Sequence, residues 1–177
     1  GVTSLEDVAW WIRDRLLERG LGSSFDMPSI YVTGPEGIEA ISSDRIIQRG
    51  DLLMIDWGVG FLDFWTDMKR IAYVLREGET EAPEGIRNAF DRAVEVRDVM
   101  KRAIRPAPTA REALERTWEA LEEAGFNRIE FNQPSDDPSV TDVVLGPHSV
   151  GNWGHGFGPS LAFFNPVRQG YELRSNT

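Results

Sequence analysis

The sequence predicts an α+β domain, and three features carry that prediction. An amphipathic helix opens the chain, a pair of apolar strands bearing two aspartates lies between residues 51 and 75, and two further amphipathic helices follow before residue 125. Helical spacing and strand alternation are the strongest local signals of secondary structure. At 177 residues the chain is long enough for one substantial core, so we expect one domain spanning residues 1–177.

The composition excludes several classes of partner. Nineteen basic against 29 acidic residues give a net charge of −10, which argues against nucleic acid and against an anionic membrane surface. No apolar run approaches the roughly 18 residues that a membrane span needs. The absence of cysteine excludes disulfides, thiolate zinc sites and a cysteine nucleophile. It suits oxidising and reducing compartments alike, so the compartment stays open, with the cytoplasm favoured.

The first elements are a helix and a short strand. Thr3 and Glu6 have the spacing of a capping box, apolar residues then follow helical spacing, and Gly20 is placed to end the helix. The stretch Ser29-Ile-Tyr-Val-Thr33 predicts a strand, which Gly34-Pro35 ends.

Apolar strands with an aspartate in each come next. Asp56 shares one strand face with Leu52 and Met54. Asp67 is an even number of residues from Ile71, Tyr73 and Leu75, so it would share a strand face with them. An antiparallel hairpin joined across a glycine-bearing turn would set the two carboxylates side by side. Two ionised carboxylates held together repel, and bound divalent cations neutralise them most naturally. A plain hairpin with two exposed aspartates is the alternative that this pattern leaves open.

Two long helices are predicted after the strand pair. The first has Pro83 in its first turn and runs to about Ile104, and the second opens with a capping box of Thr109 and Glu112 and ends at Gly125. The residues expected to face inward are Ile86, Ala89, Phe90, Ala93, Val96, Met100 and Ala103 in the first helix and Ala113, Leu114, Trp118 and Leu121 in the second. We expect both helices to be structural. Strands are then predicted at Asn127–Phe131 and around residues 143–145.

The two histidines of the chain both lie in the glycine-rich segment Gly146–Pro159. Five glycines among its 14 residues indicate backbone in unusual conformations or packed close to a ligand. His155 is bracketed by glycines, which is uncommon for a core histidine. Carboxylates plus one imidazole suit Mn, Co, Fe or Zn, so Asp56, Asp67 and His155 are candidate metal ligands. A His-Glu-x-x-His helix, a phosphate-binding loop and a Gly-x-Ser-x-Gly elbow are absent from the sequence.

These motifs resemble those of the pita-bread metallohydrolases, which include methionine aminopeptidase, proline dipeptidase, aminopeptidase P and creatinase. Asp56-Trp-Gly58, then Asp67-Met-Lys-Arg70 eleven residues later, and Gly154-His155-Gly-Phe-Gly158 match the motifs of that family. The resemblance implies a pita-bread fold with an antiparallel sheet packed against long helices. It also implies two divalent ions, Mn, Co, Zn or Fe. Asp56 would bind one ion, Asp67 would bridge both, and His155 would bind the second. The implied reaction is hydrolysis of an amide bond in a short peptide, with the Xaa-Pro peptidase branch favoured.

Several positions depart from the family pattern. The family's two glutamate ligands follow the histidine loop, so we expect them past Thr177 and expect the C-terminal strands and an N-terminal domain to be missing. Ile38, Gly151 and the stretch Ala162–Pro166 stand where relatives carry substrate-contacting histidines. His148 either takes over that catalytic role or hydrogen-bonds the backbone, and both readings stay open. A creatinase-like C–N hydrolase and a non-catalytic binding module are the alternative functions, and a homodimer is compatible with each.

Overall fold

A computed structural model describes residues 2–23, 26–34, 37–39, 42, 44–129, 133–145 and 166–175. The chain separates into two compact units, Gly1–Pro83 and Glu84–Thr177, and each is described by itself. The expectation of one domain therefore stays a prediction. No helix in these ranges is long and apolar enough to cross a membrane.

The first unit consists of one helix and two small antiparallel sheets. Its elements are α1 (Leu5–Leu17), β1 (Gly22–Ser23), β2 (Ser29–Gly34), β3 (Gly37–Ile38), β4 (Leu52–Trp57), β5 (Val59–Phe61), β6 (Phe64–Trp65) and β7 (Met68–Tyr73). A four-stranded antiparallel sheet has the order β3-β2-β4-β7, and a three-stranded sheet has the order β1-β5-β6.

Helix α1 begins one residue later than predicted. Ser4, not Thr3, is its N-cap, and the reciprocal partner is Asp7, not Glu6. The amide of Asp7 donates to the Ser4 hydroxyl at 3.1 Å, and the Ser4 amide donates to the Asp7 carboxylate at 2.8 Å. Ser4 also forms an isolated antiparallel bridge with Ile46, which holds it in extended backbone as the cap position requires.

The four-stranded sheet has one face on the core. Helix α1 packs Leu5, Ala9 and Ile12 against the buried side chains of the sheet, which are Ile30, Val32 and Leu53. Ile55 and Trp57 extend this contact, so the odd-numbered residues of β4 face α1. The even-numbered residues Leu52, Met54 and Asp56 therefore share the other face, as the sequence predicted.

A hairpin of two short strands interrupts the predicted connection between β4 and β7. β5 and β6 turn at Leu62 and Asp63, whose φ angles are 49° and 62°. The two aspartate-bearing strands are thus not joined across a single glycine turn, and that part of the prediction was wrong. Gly60 is required in β5, because a Cβ there would lie 2.2 Å from the Trp65 ring.

The second unit packs a helix pair against two short parallel strands. Its elements are α2 (Glu84–Ala103), α3 (Ala110–Glu123), β8 (Phe126–Arg128), β9 (Thr141–Val143) and α4 (Pro166–Gln169). Its core consists of Val99, Leu114, Trp118, Leu121, Phe126 and Val143. As predicted, Thr109 caps α3, whose inward residues Ala113, Leu114, Trp118 and Leu121 are all buried.

Three details of this unit differ from the prediction. Helix α2 begins just after Pro83 and buries only Val99, while Phe90 is 54% exposed instead of facing inward. Strand β8 begins one residue early, at Phe126, and β9 ends at Val143 instead of running through 145. Helical spacing identified the helices, but the charged residues spread around α2 leave little apolar area to bury.

Candidate metal centre

Asp56 lies near the end of β4, between two neighbouring strands. The register pairs it with Ser29 of β2 on one side and with Lys69 of β7 on the other. Cross-strand partners share a face, so the Asp56 and Lys69 side chains meet on the face away from α1. The Asp56 side chain is 21% exposed.

Asp67 comes directly before β7 on the same side of the sheet. It is two residues from Lys69, whose ammonium contacts its carboxylate at 3.5 Å, so the two side chains lie on one face. The predicted shared face of Asp56 and Asp67 is confirmed, but the two aspartates are diagonal neighbours and the direct partner of Asp56 is Lys69. The Asp67 side chain is 18% exposed.

The Lys69 ammonium lies between the two carboxylates. Its Nζ is 2.7 Å from Oδ1 of Asp56 and 3.5 Å from Oδ1 of Asp67. Burial by itself lowers the pKa of Lys69, but the close contact with Asp56 and the charges of Asp56 and Asp67 outweigh it, so the net pKa is raised. One cationic group therefore reaches both carboxylates at once.

The contact between Lys69 and Asp56 involves a buried carboxylate oxygen. Oδ1 of Asp56 is buried, and within the described part of the chain its close polar contact is Nζ of Lys69, at 2.7 Å. Buried carboxylate oxygens normally accept hydrogen bonds or bind a cation. Two converging carboxylates, one of them with a buried oxygen, have donor chemistry that fits a divalent metal.

Arg70, the last residue of the Asp-x-x-Arg match, does not join this cluster. It pairs with Ile55, so it belongs to the sheet face opposite Asp56. Its guanidinium donates to the Lys69 carbonyl at 2.8 Å. The arginine of the motif is thus tied to its own strand and does not contact the carboxylates.

The predicted residues His155 and His148 both lie outside the described residues. Within the described ranges, no cluster contains three or more histidine, cysteine, aspartate or glutamate side chains that could hold a metal. Ile38 of β3, the position at which the family resemblance predicts a histidine, is 57% exposed. Sequence reasoning missed Lys69, although its parity with Asp67 was a signal that could have found it.

The start of β4 is fixed by a second ion pair. The Arg45 guanidinium donates to the Asp51 carboxylate at 2.5 and 3.0 Å, and the backbone amide of Gln48 donates to it at 2.6 Å. Burial alone raises the pKa of Asp51, but the hydrogen bonds from Arg45 and Gln48 and the charge of Arg45 outweigh it, so the pKa is lowered. This pair holds the loop before β4 and thereby the register that positions Asp56.

The sequence profile of metallopeptidase family M24 matches residues 1–174. The chain belongs to metallopeptidase family M24. The α+β pita-bread assignment is thereby confirmed, as is the recognition of the family from the Asp56 and Asp67 motifs.

Solved structures agree in fold. The X-Pro aminopeptidase of Thermotoga maritima MSB8 matches with a TM-score of 0.63 at 16% identity, over 98% of this chain and 44% of that one. The prolidase of Pyrococcus furiosus matches with a TM-score of 0.57 at 23% identity, over 97% and 44% of the two chains. The methionine aminopeptidase of Rickettsia prowazekii matches with a TM-score of 0.51 at 16% identity, over 98% and 62%. This chain thus spans less than two thirds of each of these structures, and sequence comparison with curated proteins gives no match.

Proposed function

We propose that the chain is the metal-binding part of a peptidase that cleaves short peptides at an Xaa-Pro bond. The observation that carries the proposal is the convergence of the Asp56 and Asp67 carboxylates on one cationic group. Membership in a metallopeptidase family supports hydrolysis, and the X-Pro aminopeptidase and prolidase structures of similar fold favour the Xaa-Pro class.

Asp56 and Asp67 would hold divalent ions, and the family resemblance adds His155 as a further ligand. When bound, such ions make water nucleophilic at neutral pH and polarise the scissile carbonyl. The strand register supplies the positioning, because Asp56 is held from both sides by β2 and β7. His148 is proposed as a substrate-contacting residue, with the backbone-bonding role as its alternative.

A comparison of two carboxylate-to-amide changes in one hairpin region tests this proposal. In a longer polypeptide that extends past Thr177 and is loaded with Mn or Co, Asp67→Asn should abolish release of the first residue from Xaa-Pro dipeptides. Asp63→Asn should leave the activity unchanged, because Asp63 is exposed at the β5–β6 turn and asparagine tolerates its positive φ. Turnover would be measured by amine release. A metal-loaded, folded protein that cleaves no short peptide would contradict the proposal, and turnover of creatine would replace it with the creatinase-like reading.

The 177-residue chain alone should bind at most one ion, weakly, and show no peptidase activity. Two dications about 3.5–4 Å apart repel, and they need more bridging carboxylates than Asp56 and Asp67 provide. Calorimetric titration with Mn measures the stoichiometry. Two tight sites per chain would show that further ligands complete the cluster.

A non-catalytic binding module on the same fold is the second candidate function. Lys69 favours it, because its ammonium neutralises part of the carboxylate charge without any metal. The two candidates differ in their response to metal: the peptidase requires an ion at the carboxylates, whereas the binding module does not.

A further inference from the structure

Lys69 occupies the place where the two carboxylates converge. It is the register partner of Asp56, and its Nζ lies 2.7 Å from that carboxylate and 3.5 Å from Asp67. Strand pairing places the two side chains on one face, and the conformation of the lysine side chain brings its ammonium to the Asp56 carboxylate. Any cation bound by both carboxylates must therefore share this space with the ammonium.

An ammonium and a divalent ion cannot both remain there. Metal–oxygen distances for ions of this class are about 2.0–2.2 Å, so the ion would lie against the Lys69 ammonium and be repelled by its charge. The Lys69 side chain is 42% exposed, which gives its flexible four-carbon stem a route to solvent. The ammonium can therefore leave the carboxylates without any change in the strands.

We propose that Lys69 is an internal competitor of the metal, which neutralises part of the charge of Asp56 and Asp67 in the metal-free protein and must swing out before an ion binds. This inference rests on the proposed function, since it requires that Asp56 and Asp67 bind metal. Lys69 is accordingly an affinity-determining residue. It keeps the metal-free strand pair stable and weakens metal binding by the same contact.

The chain offers a matched control, because Lys69 and Lys101 are its only lysines. Lys101 lies on the exposed surface of α2 in the second unit. Lys69→Met removes the charge while keeping a stem of similar length, and Lys101→Met makes the same change away from the carboxylates. We expect Lys69→Met to tighten the Kd for Zn by about tenfold or more in calorimetric titration, with Lys101→Met unchanged.

Lys69→Met should destabilise the metal-free protein, although it tightens metal binding. In the presence of chelator, Lys69→Met should lower the Tm, because the two carboxylates lose the charge that neutralises them. Lys101→Met should leave the Tm unchanged. A structural role alone would lower the Tm of Lys69→Met without tightening metal binding.

Lysine side-chain NMR follows the displacement directly. With carbon-13 lysine, two Cε signals are expected, and Lys101→Arg assigns them. Zn, which is diamagnetic, should move the Lys69 signal toward that of a freely solvated lysine and leave the Lys101 signal in place.

The outcomes separate this inference from the proposed function. Equal or weaker Zn affinity in Lys69→Met, or a Lys69 signal that Zn does not move although Zn binds, would overturn the competitor role and leave the metal centre standing. Absence of Zn binding in both wild type and Lys69→Met would overturn the metal centre itself and the competitor role with it.

Discussion

The strand pair β4/β7 and the helix α2 are both rich in charge, but they arrange it in different ways. In the strand pair, Asp56, Asp67 and Lys69 are brought onto one face by strand register, and both carboxylates are less than a quarter exposed. In α2, Arg92 pairs with Glu95 and Arg97 with Asp98; the partners of each pair lie within one turn of each other, and all four side chains are more than 40% exposed. Neighbouring charges on an exposed helix need no explanation beyond solubility.

The difference shows where charge indicates function. Holding two carboxylates together on a partly desolvated face is costly, and the single charge of Lys69 offsets only part of that cost, so such an arrangement points to a binding role. The pairs of α2 cost little to form and contribute little. Position in the fold, and not the number of charges, therefore identifies Asp56 and Asp67 as the candidate site.

The strongest test of this comparison changes the core face of the same strand pair. Leu53 is 7% exposed and packs under α1, so Leu53→Ala should lower the free energy of unfolding by about 2–5 kcal/mol, through lost burial and the cavity left behind. Ile71 lies on the carboxylate face and is 54% exposed, so Ile71→Ala should cost much less. Urea denaturation followed by circular dichroism measures both. Equal losses would mean that the carboxylate face is buried to the same degree as the core face.

A second test concerns the ion pair that fixes the start of β4. Asp51→Asn removes the charge that Arg45 and the Gln48 amide contact, and it should cost about 1–3 kcal/mol at neutral pH. The folded-state pKa of Asp51 is lowered, so its contribution is complete above the unfolded-state pKa of about 3.9 and is lost as pH falls through the folded value. The stability difference between wild type and Asp51→Asn should therefore shrink below about pH 4. Urea midpoints between pH 7 and pH 3 check this, and a constant difference would contradict it.

Much of the site could be predicted from the sequence because it depends on alternation and spacing. The period of two in β4 placed Asp56 on the face opposite Leu53. The even spacing of Asp67 from the alternate residues of the second strand predicted the same face for Asp67. A motif of metal-binding groups does not identify Lys69, because an ammonium competes with a metal ion and does not bind it. The β5–β6 hairpin was missed because Leu62 and Asp63 turn with positive φ, where glycine or asparagine is the usual signal. The N-cap of α1 lies one residue later than predicted because Thr3 and Ser4 are each followed, three residues later, by an acidic residue.

The smallest expected effect belongs to the charge pairs of α2. Arg92 and Glu95 are 41% and 53% exposed, so Glu95→Gln should change the free energy of unfolding by no more than about 0.5 kcal/mol.

Arg92 also stacks its guanidinium 4.5 Å above the centre of the Phe126 ring, so Arg92→Ala should cost more, about 0.5–1 kcal/mol beyond the loss of the pair. The double variant measures the coupling between the two residues, which should be near zero in 1 M salt because screening removes the exposed attraction. If Glu95→Gln lowered the free energy of unfolding as much as Asp51→Asn does, solvent exposure would not explain the difference between the charge pairs of α2 and the charges of the strand pair.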